Sequence, residues 1–196
     1  MRIPSYRWPP RRGKGRYCSG ISLFWVLLWL YGPIHAAELS TDVTVASTSG
    51  TASDDMVINR GPSPFSFPGV PASADLTAFH RFADGDTLIA FDTAISLPGN
   101  IFARAGDIVR FDGAGYSIEW RPSDAGLSGG IVTDAITDYR GDLALSFDTT
   151  VILPGNVFLN DEDLVRITAN GYELLLDGSA LGIDSATGLD GVSYFL

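Results

Sequence analysis

The sequence predicts an all-β fold made of about three four-stranded quasi-repeats of roughly 56 residues each. Four blocks of residues recur at a spacing of 56 positions, and short apolar runs broken by Gly, Asn and Asp surround them. The matching blocks are Phe91–Thr93 with Phe147–Thr149, Leu97–Asn100 with Leu153–Asn156, Asp107–Arg110 with Asp163–Arg166, and Gly115–Tyr116 with Gly171–Tyr172.

Two predicted units carry this pattern in full, unit 75–130 and unit 131–188. Each contains four short strands, and turn residues that tolerate a positive φ separate them. The predicted strands are Leu76–Phe82, Thr87–Asp92, Ile108–Phe111 and Tyr116–Trp120 in the first unit, and Thr133–Tyr139, Leu143–Asp148, Leu164–Thr168 and Tyr172–Leu176 in the second.

Parts of a third unit lie at the two ends of the domain, as an incomplete unit 42–70 and a closing strand 189–196. Val43–Ala46, Asp55–Ile58 and Phe65–Phe67 resemble second, third and fourth strands, whereas Leu189–Phe195 resembles a first strand. We therefore expect the C-terminal strand to pair near Val43–Ala46 and close a ring. Propeller-like blades fit such a ring; a β-trefoil or a β-prism is the alternative. Self-association would complete an unfinished propeller.

The repeated stretches resemble a repeat of secreted bacterial proteins of uncharacterised function, which is β-propeller-like. The resemblance covers most of residues 75–196 and extends faintly to residues 42–70. It implies a fold and a location outside the cytoplasm, and no established activity. The stretches that carry it are Asp134–Tyr139, Ser146–Thr149, Leu153–Gly155 and Asp161–Arg166.

The N-terminus is typical of a signal peptide, residues 1–37, followed by a single domain, residues 38–196. Six basic residues precede the apolar run Ile21–Tyr31, which is too short to span a bilayer, and the small pair Ala36–Ala37 follows it. We expect a secreted or periplasmic protein that is not an integral membrane protein after cleavage. The only cysteine, Cys18, lies in the predicted signal peptide, so the domain has no disulfide.

The predicted mature domain is strongly acidic. It keeps seven arginines and no lysine against 23 acidic residues, a net charge of −16. Such a surface repels nucleic acid and favours solubility or cation binding. Partners are therefore expected to be an unidentified protein or carbohydrate.

Four aspartates are candidate calcium ligands. Asp92 and Asp148 end the second strands, and Asp107 and Asp163 begin the third strands, across the loops that contain Leu-Pro-Gly-Asn. In the second unit Asp161 and Glu162 add two more carboxylates. Calcium binds several hard oxygen ligands in irregular geometry, which such loops can supply. The alternative is that these aspartates are turn residues that cap their own backbone. No other cofactor is predicted.

The remaining polar and aromatic residues favour structural roles. Arg110 and Arg166 are expected to pair with acids such as Asp92 and Asp148. His80, alone in the mature domain, cannot form a multi-histidine zinc site, and no Gly-x-Ser-x-Gly elbow accompanies it. Most of the recurring aromatic residues are expected in the core, with Trp120 a candidate for a sugar-binding face. These are Trp120, Tyr116, Tyr172, Phe102 and Phe158.

The leading hypothesis from the sequence is a secreted or periplasmic, non-enzymatic binding or structural repeat module. No catalytic residue is assigned. A secreted hydrolase is the first alternative, since repeated carboxylates could act as acid and base. A small outer-membrane barrel, suggested by Tyr194–Leu196, is the second, although the predicted strands are shorter than the 9–11 residues that such a barrel needs.

Overall fold

A computed structural model of the chain describes residues 45–47, 50–52, 56–57, 65–184, 188–189 and 191–192, with side chains from residue 66 onward. The predicted signal peptide and most of the closing strand lie outside these residues. Within them the regular structure is β-strand and two short 3-10 turns, with no α-helix, so the all-β prediction is confirmed.

The strands and turns are β1 (Val45–Ser47), β2 (Gly50–Ala52), β3 (Met56–Val57), β4 (Phe65–Ser66), β5 (Leu76–Arg81), β6 (Thr87–Phe91), β7 (Ile95–Leu97), β8 (Ile101–Ala103), β9 (Ile108–Phe111), β10 (Tyr116–Trp120), the 3-10 turn Pro122–Ala125, β11 (Thr133–Tyr139), β12 (Asp142–Phe147), β13 (Val151–Leu153), β14 (Val157–Leu159), β15 (Leu164–Thr168), β16 (Gly171–Leu176) and the 3-10 turn Ser179–Leu181.

Two four-stranded antiparallel sheets contain all eight strands predicted for the two full units, each with its bounds within one residue. The first sheet has the order β5-β6-β9-β10 and the second the order β11-β12-β15-β16. The register is also equivalent: Ile89 lies opposite Val109, and Leu145 lies opposite Val165. The central strands β6 and β12 are buried almost throughout, which explains their continuous apolar sequences.

Each sheet carries an extra hairpin where the sequence predicts a loop. These hairpins are β7–β8 in the first sheet and β13–β14 in the second. Gly99 and Asn100 turn the first hairpin with φ of 82° and 61°. Gly and Asn adopt this left-handed conformation more readily than other residues, which accounts for the recurring Leu-Pro-Gly-Asn. Only three residue pairs form each ladder, so the strand signal in the sequence is weak.

The two sheets pack face to face and share a core. Leu88, Ile108 and Trp120 of the first sheet belong to the same buried cluster as Leu145 and Phe147 of the second. The rings of Trp120 and Phe147 lie 6.1 Å apart, centroid to centroid. Each large side chain buried here stabilises the fold by about 1.5–3 kcal/mol, so the interface between the sheets is a major source of stability.

The opposite face of the first sheet packs against the segment that follows β4. Phe67 is buried against Phe91 and lies edge-on to Phe111, with 5.9 Å between ring centroids. β3 and β4 pair antiparallel, as expected for the third and fourth strands of the incomplete unit. The two sheets use equivalent faces to pack on the part of the chain that precedes them. Phe91 faces the segment before the first sheet, and Phe147, 56 residues later, faces the first sheet.

Hydrogen bonds at the sheet edges tie successive parts of the chain together. Thr77 Oγ1 donates to the Thr133 carbonyl at 2.8 Å, which joins β5 to β11. Further along, Ser146 Oγ donates to the Leu189 carbonyl at 2.8 Å, so the predicted closing strand begins against the second sheet. Its predicted pairing with Val43–Ala46 lies outside the described residues and stays a prediction, as does the number of units.

Candidate functional site

The four predicted calcium ligands lie at one end of the two sheets, which we call the hairpin end because β7–β8 and β13–β14 project from it. Asp92 and Asp148 are exposed directly after β6 and β12, whereas Asp107 and Asp163 are buried directly before β9 and β15. The antiparallel pairing of second and third strands brings each exposed aspartate to the same end as its buried counterpart.

Asp107 holds the loop that leads into β9. Its Oδ2 accepts hydrogen bonds from the Arg104 N–H at 3.0 Å and from Arg121 Nη1 at 2.9 Å. Burial raises the pKa of Asp107, and these two contacts offset the increase only in part. Asp107 is therefore an anchor with its own arginine partner.

Asp163 holds the equivalent loop of the second sheet in a different way. Its Oδ2 accepts from the Asn160 N–H at 2.8 Å, and its Oδ1 accepts from the Gly178 N–H at 2.9 Å. No arginine pairs with it among the described residues. Asp163 thus binds two backbone segments where Asp107 binds one segment and a cation.

The exposed aspartates, Asp92 and Asp148, contribute less to holding the loops in place. Asp148 Oδ1 accepts from the Val132 N–H at 2.9 Å, and the Asp92 N–H donates to the Asp75 carbonyl at 3.3 Å. All these contacts fit the alternative that the aspartates are turn and loop residues. In the described part of the chain, no group of three or more His, Cys, Asp or Glu side chains is arranged to hold a metal ion. Calcium binding by these aspartates stays a prediction.

Arg110 and Arg166 lie toward the end of the sheets opposite the hairpin end. The prediction that they pair with acids such as Asp92 and Asp148 is wrong. Arg110 pairs with Asp86 at 3.0 Å and with Glu119 at 2.8 Å. Arg166 pairs with Asp142 at 2.6 Å and with Glu173 at 3.4 Å. These acids lie at the start of the second strand or within the fourth strand, and they replace the predicted acids that end the second strand.

The strand register explains this correction. Arg110 lies opposite Leu88, near the start of β6, and Arg166 lies opposite Ala144, near the start of β12. In an antiparallel pair the end of the second strand is then several residues away. The guanidinium of Arg110 also lies 4.8 Å from the centre of the Phe82 ring, and that of Arg166 lies 5.4 Å from the centre of the Tyr139 ring.

His80 lies where β5 meets β11. Its Nδ1 is 3.5 Å from Thr137 Oγ1, and its ring lies edge-on to Phe82 with 4.8 Å between centroids. Burial lowers the pKa of His80; Asp138 raises it in part, and Arg110 lowers it further. These contacts are those of a packed, neutral strand residue.

The aromatic residues divide differently from the prediction. Trp120 is buried between the sheets, so it cannot form an exposed sugar-binding face. Phe102 and Phe158, which were expected in the core, are 53% and 54% exposed on β8 and β14. Neighbouring residues on these hairpins alternate between buried and exposed, and both phenylalanines fall on the exposed side. The same alternation in the sequence would have revealed them if the hairpins had been recognised.

A small cavity lies between the two sheets, with a volume of about 30 Å³. Glu119 and Trp120 line it from the first sheet, and Asp142 and Ile167 line it from the second. This volume holds a water molecule or two and is far below that of a metabolite site.

Comparison with known proteins yields no relative. No protein-family model matches the chain, and neither a curated protein nor a solved structure matches it. No helix in the described residues is long and apolar enough to cross a membrane.

Proposed function

We propose that this protein is a secreted or periplasmic, non-enzymatic binding module that contacts a protein or carbohydrate through its hairpins. The observation that carries the proposal is the exposure of Phe102 and Phe158. They occupy equivalent positions, 56 residues apart, and each is more than half exposed on a hairpin whose alternate residues are buried. Large aromatic side chains held rigidly at a surface are typical of binding sites.

The surroundings of the two phenylalanines differ in a way that suits an adaptable contact surface. Ile152 lies directly opposite Phe158 and is also exposed, so the second hairpin presents two adjacent apolar side chains. In the first hairpin Ser96 lies opposite Phe102. A mixture of apolar and hydroxyl groups beside an aromatic ring fits either a protein surface or a stacked sugar ring.

The stacking of the sheets supports a modular scaffold beneath this surface. The first sheet packs against the preceding segment through the face that contains Phe91. The second sheet packs against the first through the face that contains Phe147. A third unit added by the same rule would extend the stack, which favours propeller-like blades over a trefoil or prism. The predicted ring of about three units belongs to this proposal.

The location rests on the N-terminal sequence, with its basic residues, short apolar run and small residues at the expected cleavage site. The acidic, lysine-free domain adds that nucleic acid is not the partner, because anionic surfaces repel a polyphosphate.

The double substitution Phe102→Ser and Phe158→Ser tests the binding surface. Labelled protein is incubated with the envelope fraction of the cells that secrete it and with an array of purified glycans. We expect the double variant to lose about 10-fold or more in affinity, as for other central aromatic contacts, with an unchanged melting temperature.

Leu174→Ser is the matched control, because Leu174 is an exposed apolar residue on β16. It should bind like the unsubstituted protein. Loss of binding after protease treatment of the envelope would identify a protein partner, and competition by a soluble glycan would identify a carbohydrate. Equal binding by the double variant and the unsubstituted protein would refute the proposal.

A further inference from the structure

A buried carboxylate with one unpaired oxygen lies at the hairpin end of the second sheet. Glu162 is 1% exposed, and its Oε2 has no hydrogen-bond partner among the residues that the structure describes. A buried charged oxygen in this state is strongly unfavourable unless a cation or a donor compensates it. The sequence predicts Glu162 and Asp161 as additional carboxylates beside the aspartate pair of the second unit.

A second carboxylate stands beside it. The carboxylate of Asp161 is close enough to that of Glu162 to share a hydrogen bond with it, and Asp163 follows as the third acid of the run. Asp163 is already bonded to two backbone N–H groups, so Asp161 and Glu162 are the two carboxylates with acceptor capacity left. Two adjacent anions of this kind are stable together when a cation lies between them.

Two positions differ together between the sheets, and the difference leaves space for the Glu162 side chain. The equivalent residue in the first sheet is Gly106, which packs against the Ile131 carbonyl and leaves no space for a side chain. In the second sheet Gly178 replaces the buried Pro122. A Cβ at Gly178 would lie 2.6 Å from Glu162 Cγ, so this glycine provides the space that the glutamate occupies.

The charges around this position also become more negative from the first sheet to the second. In the first sheet Arg104 and Arg121 balance Asp107 and Asp124, and Arg121 pairs directly with Asp107. The equivalent positions of the second sheet, with the two carboxylates added, hold four acids and no basic residue. These positions are Asn160, Asp161, Glu162, Asp163, Asp177 and Ala180.

We propose that Asp161 and Glu162 bind a divalent cation of the size of calcium. Calcium accepts mono- and bidentate carboxylates at 2.3–2.6 Å and completes its shell of six to eight oxygens with backbone carbonyls and water. Two carboxylates are few for such a site, which predicts a dissociation constant of about 0.1–1 mM, the range of extracellular modules. The cation replaces the charge that Arg121 supplies to the first sheet.

Thermal unfolding of the purified protein in calcium chloride and in sodium chloride of equal ionic strength tests the site. At about 10 mM calcium we expect a melting temperature higher by about 3–10 °C than in sodium, because a ligand that binds only the folded state stabilises it. Glu162→Gln, which keeps the shape and removes the charge, should abolish this difference and should raise the melting temperature without calcium.

Asp161→Asn provides a second test on the less buried ligand and should also abolish the difference. Asp92→Asn separates this site from the aspartate pairs predicted from the sequence, because Asp92 is an exposed member of those pairs in the first sheet, and it should keep the full calcium response. The proposal is overturned if calcium and sodium act alike on the unsubstituted protein, or if Glu162→Gln and Asp161→Asn both keep the response. Loss of the response in Asp92→Asn alone would overturn it in favour of the predicted aspartate pairs.

Discussion

The hairpin ends of the two sheets share a backbone and differ in their electrostatics. In both, a buried aspartate accepts a hydrogen bond from the backbone N–H three residues earlier, at 3.0 Å in Asp107 and 2.8 Å in Asp163. The first sheet then neutralises its aspartate with Arg121, whereas the second adds Glu162 beside Asp161 and has no arginine there. The backbone anchor and the local charge are therefore separable properties.

This difference shows how one scaffold can carry two local charge environments. The anchor is needed to shape the loop before the third strand, so it is present in both sheets. The residue after the fourth strand is Arg121 in the first sheet and Asp177 in the second, so either sign of charge at this position is compatible with the fold. The hairpin end is thus the place where equivalent parts of this protein differ in local charge.

The largest expected effect concerns the core that makes the sheets equivalent. Phe91→Ala and Phe147→Ala each remove a ring that is almost fully buried, at equivalent positions of β6 and β12. We expect each to lower the free energy of unfolding by about 3–5 kcal/mol, measured by urea denaturation. Phe158→Ala, which truncates an exposed ring, should cost less than about 0.5 kcal/mol.

If Phe147→Ala lowered the free energy of unfolding by much less than Phe91→Ala does, the two sheets would not be equivalent in their packing. This result would mean that the second sheet does not pack on the first as the first packs on the segment containing Phe67.

The eight sheet strands could be predicted from the sequence because they combine apolar runs with clear turn residues. Ile108–Phe111 and Tyr116–Trp120 were located to the residue. The hairpins were missed because a three-residue strand such as Ile95–Leu97 gives too short a pattern to separate from a loop. Stacking of the sheets could not be predicted either, because both faces of β6 are apolar and neither identifies its neighbour.

A smaller effect separates the two arginines. Glu119 is 12% exposed and lies 2.8 Å from Arg110, whereas Glu173 is 62% exposed and lies 3.4 Å from Arg166. Arg110→Ala should therefore cost about 2 kcal/mol, because it leaves a largely buried acid unpaired, and Arg166→Ala should cost about 1 kcal/mol or less. Urea denaturation at low salt measures both; equal costs would show that the exposure of the second acid does not matter.

The smallest effect is a pH dependence specific to the first sheet. His80 has Thr137 as its counterpart in β11, so only the first sheet holds a titratable group at this position. The pKa of His80 is lowered mainly by burial, so the unfolded state binds its proton more readily than the folded state. Stability is then full above about pH 6.5 and is lost as the pH falls below that value.

His80→Gln should remove this part of the acid sensitivity. Urea denaturation at pH 7.5 and 5.5 should show a smaller difference for the variant than for the unsubstituted protein. The same difference in both would indicate that the folded and unfolded states bind the His80 proton equally well.

The candidate sites were harder to predict than the fold, for physical reasons that particular residues illustrate. A sequence places Asp92 and Asp107 at the same end of a sheet, but it does not show that Asp107 is bonded to Arg121. The sequence likewise shows Glu162 as one of three consecutive acids and cannot show which of them has a buried oxygen that lacks a hydrogen-bond partner among the described residues. The substitution of Pro122 by Gly178 was visible in the repeat and was the available signal that space had been made.

Long-wavelength diffraction from crystals soaked in calcium chloride tests the central comparison most directly, since the anomalous signal of calcium marks the ion itself. The account predicts one anomalous peak beside Glu162 Oε2 and none in the loop of the first sheet that contains Gly106 and Asp107. The absence of a peak at Glu162, or equal peaks in both loops, would contradict the claim that the two hairpin ends differ in cation binding.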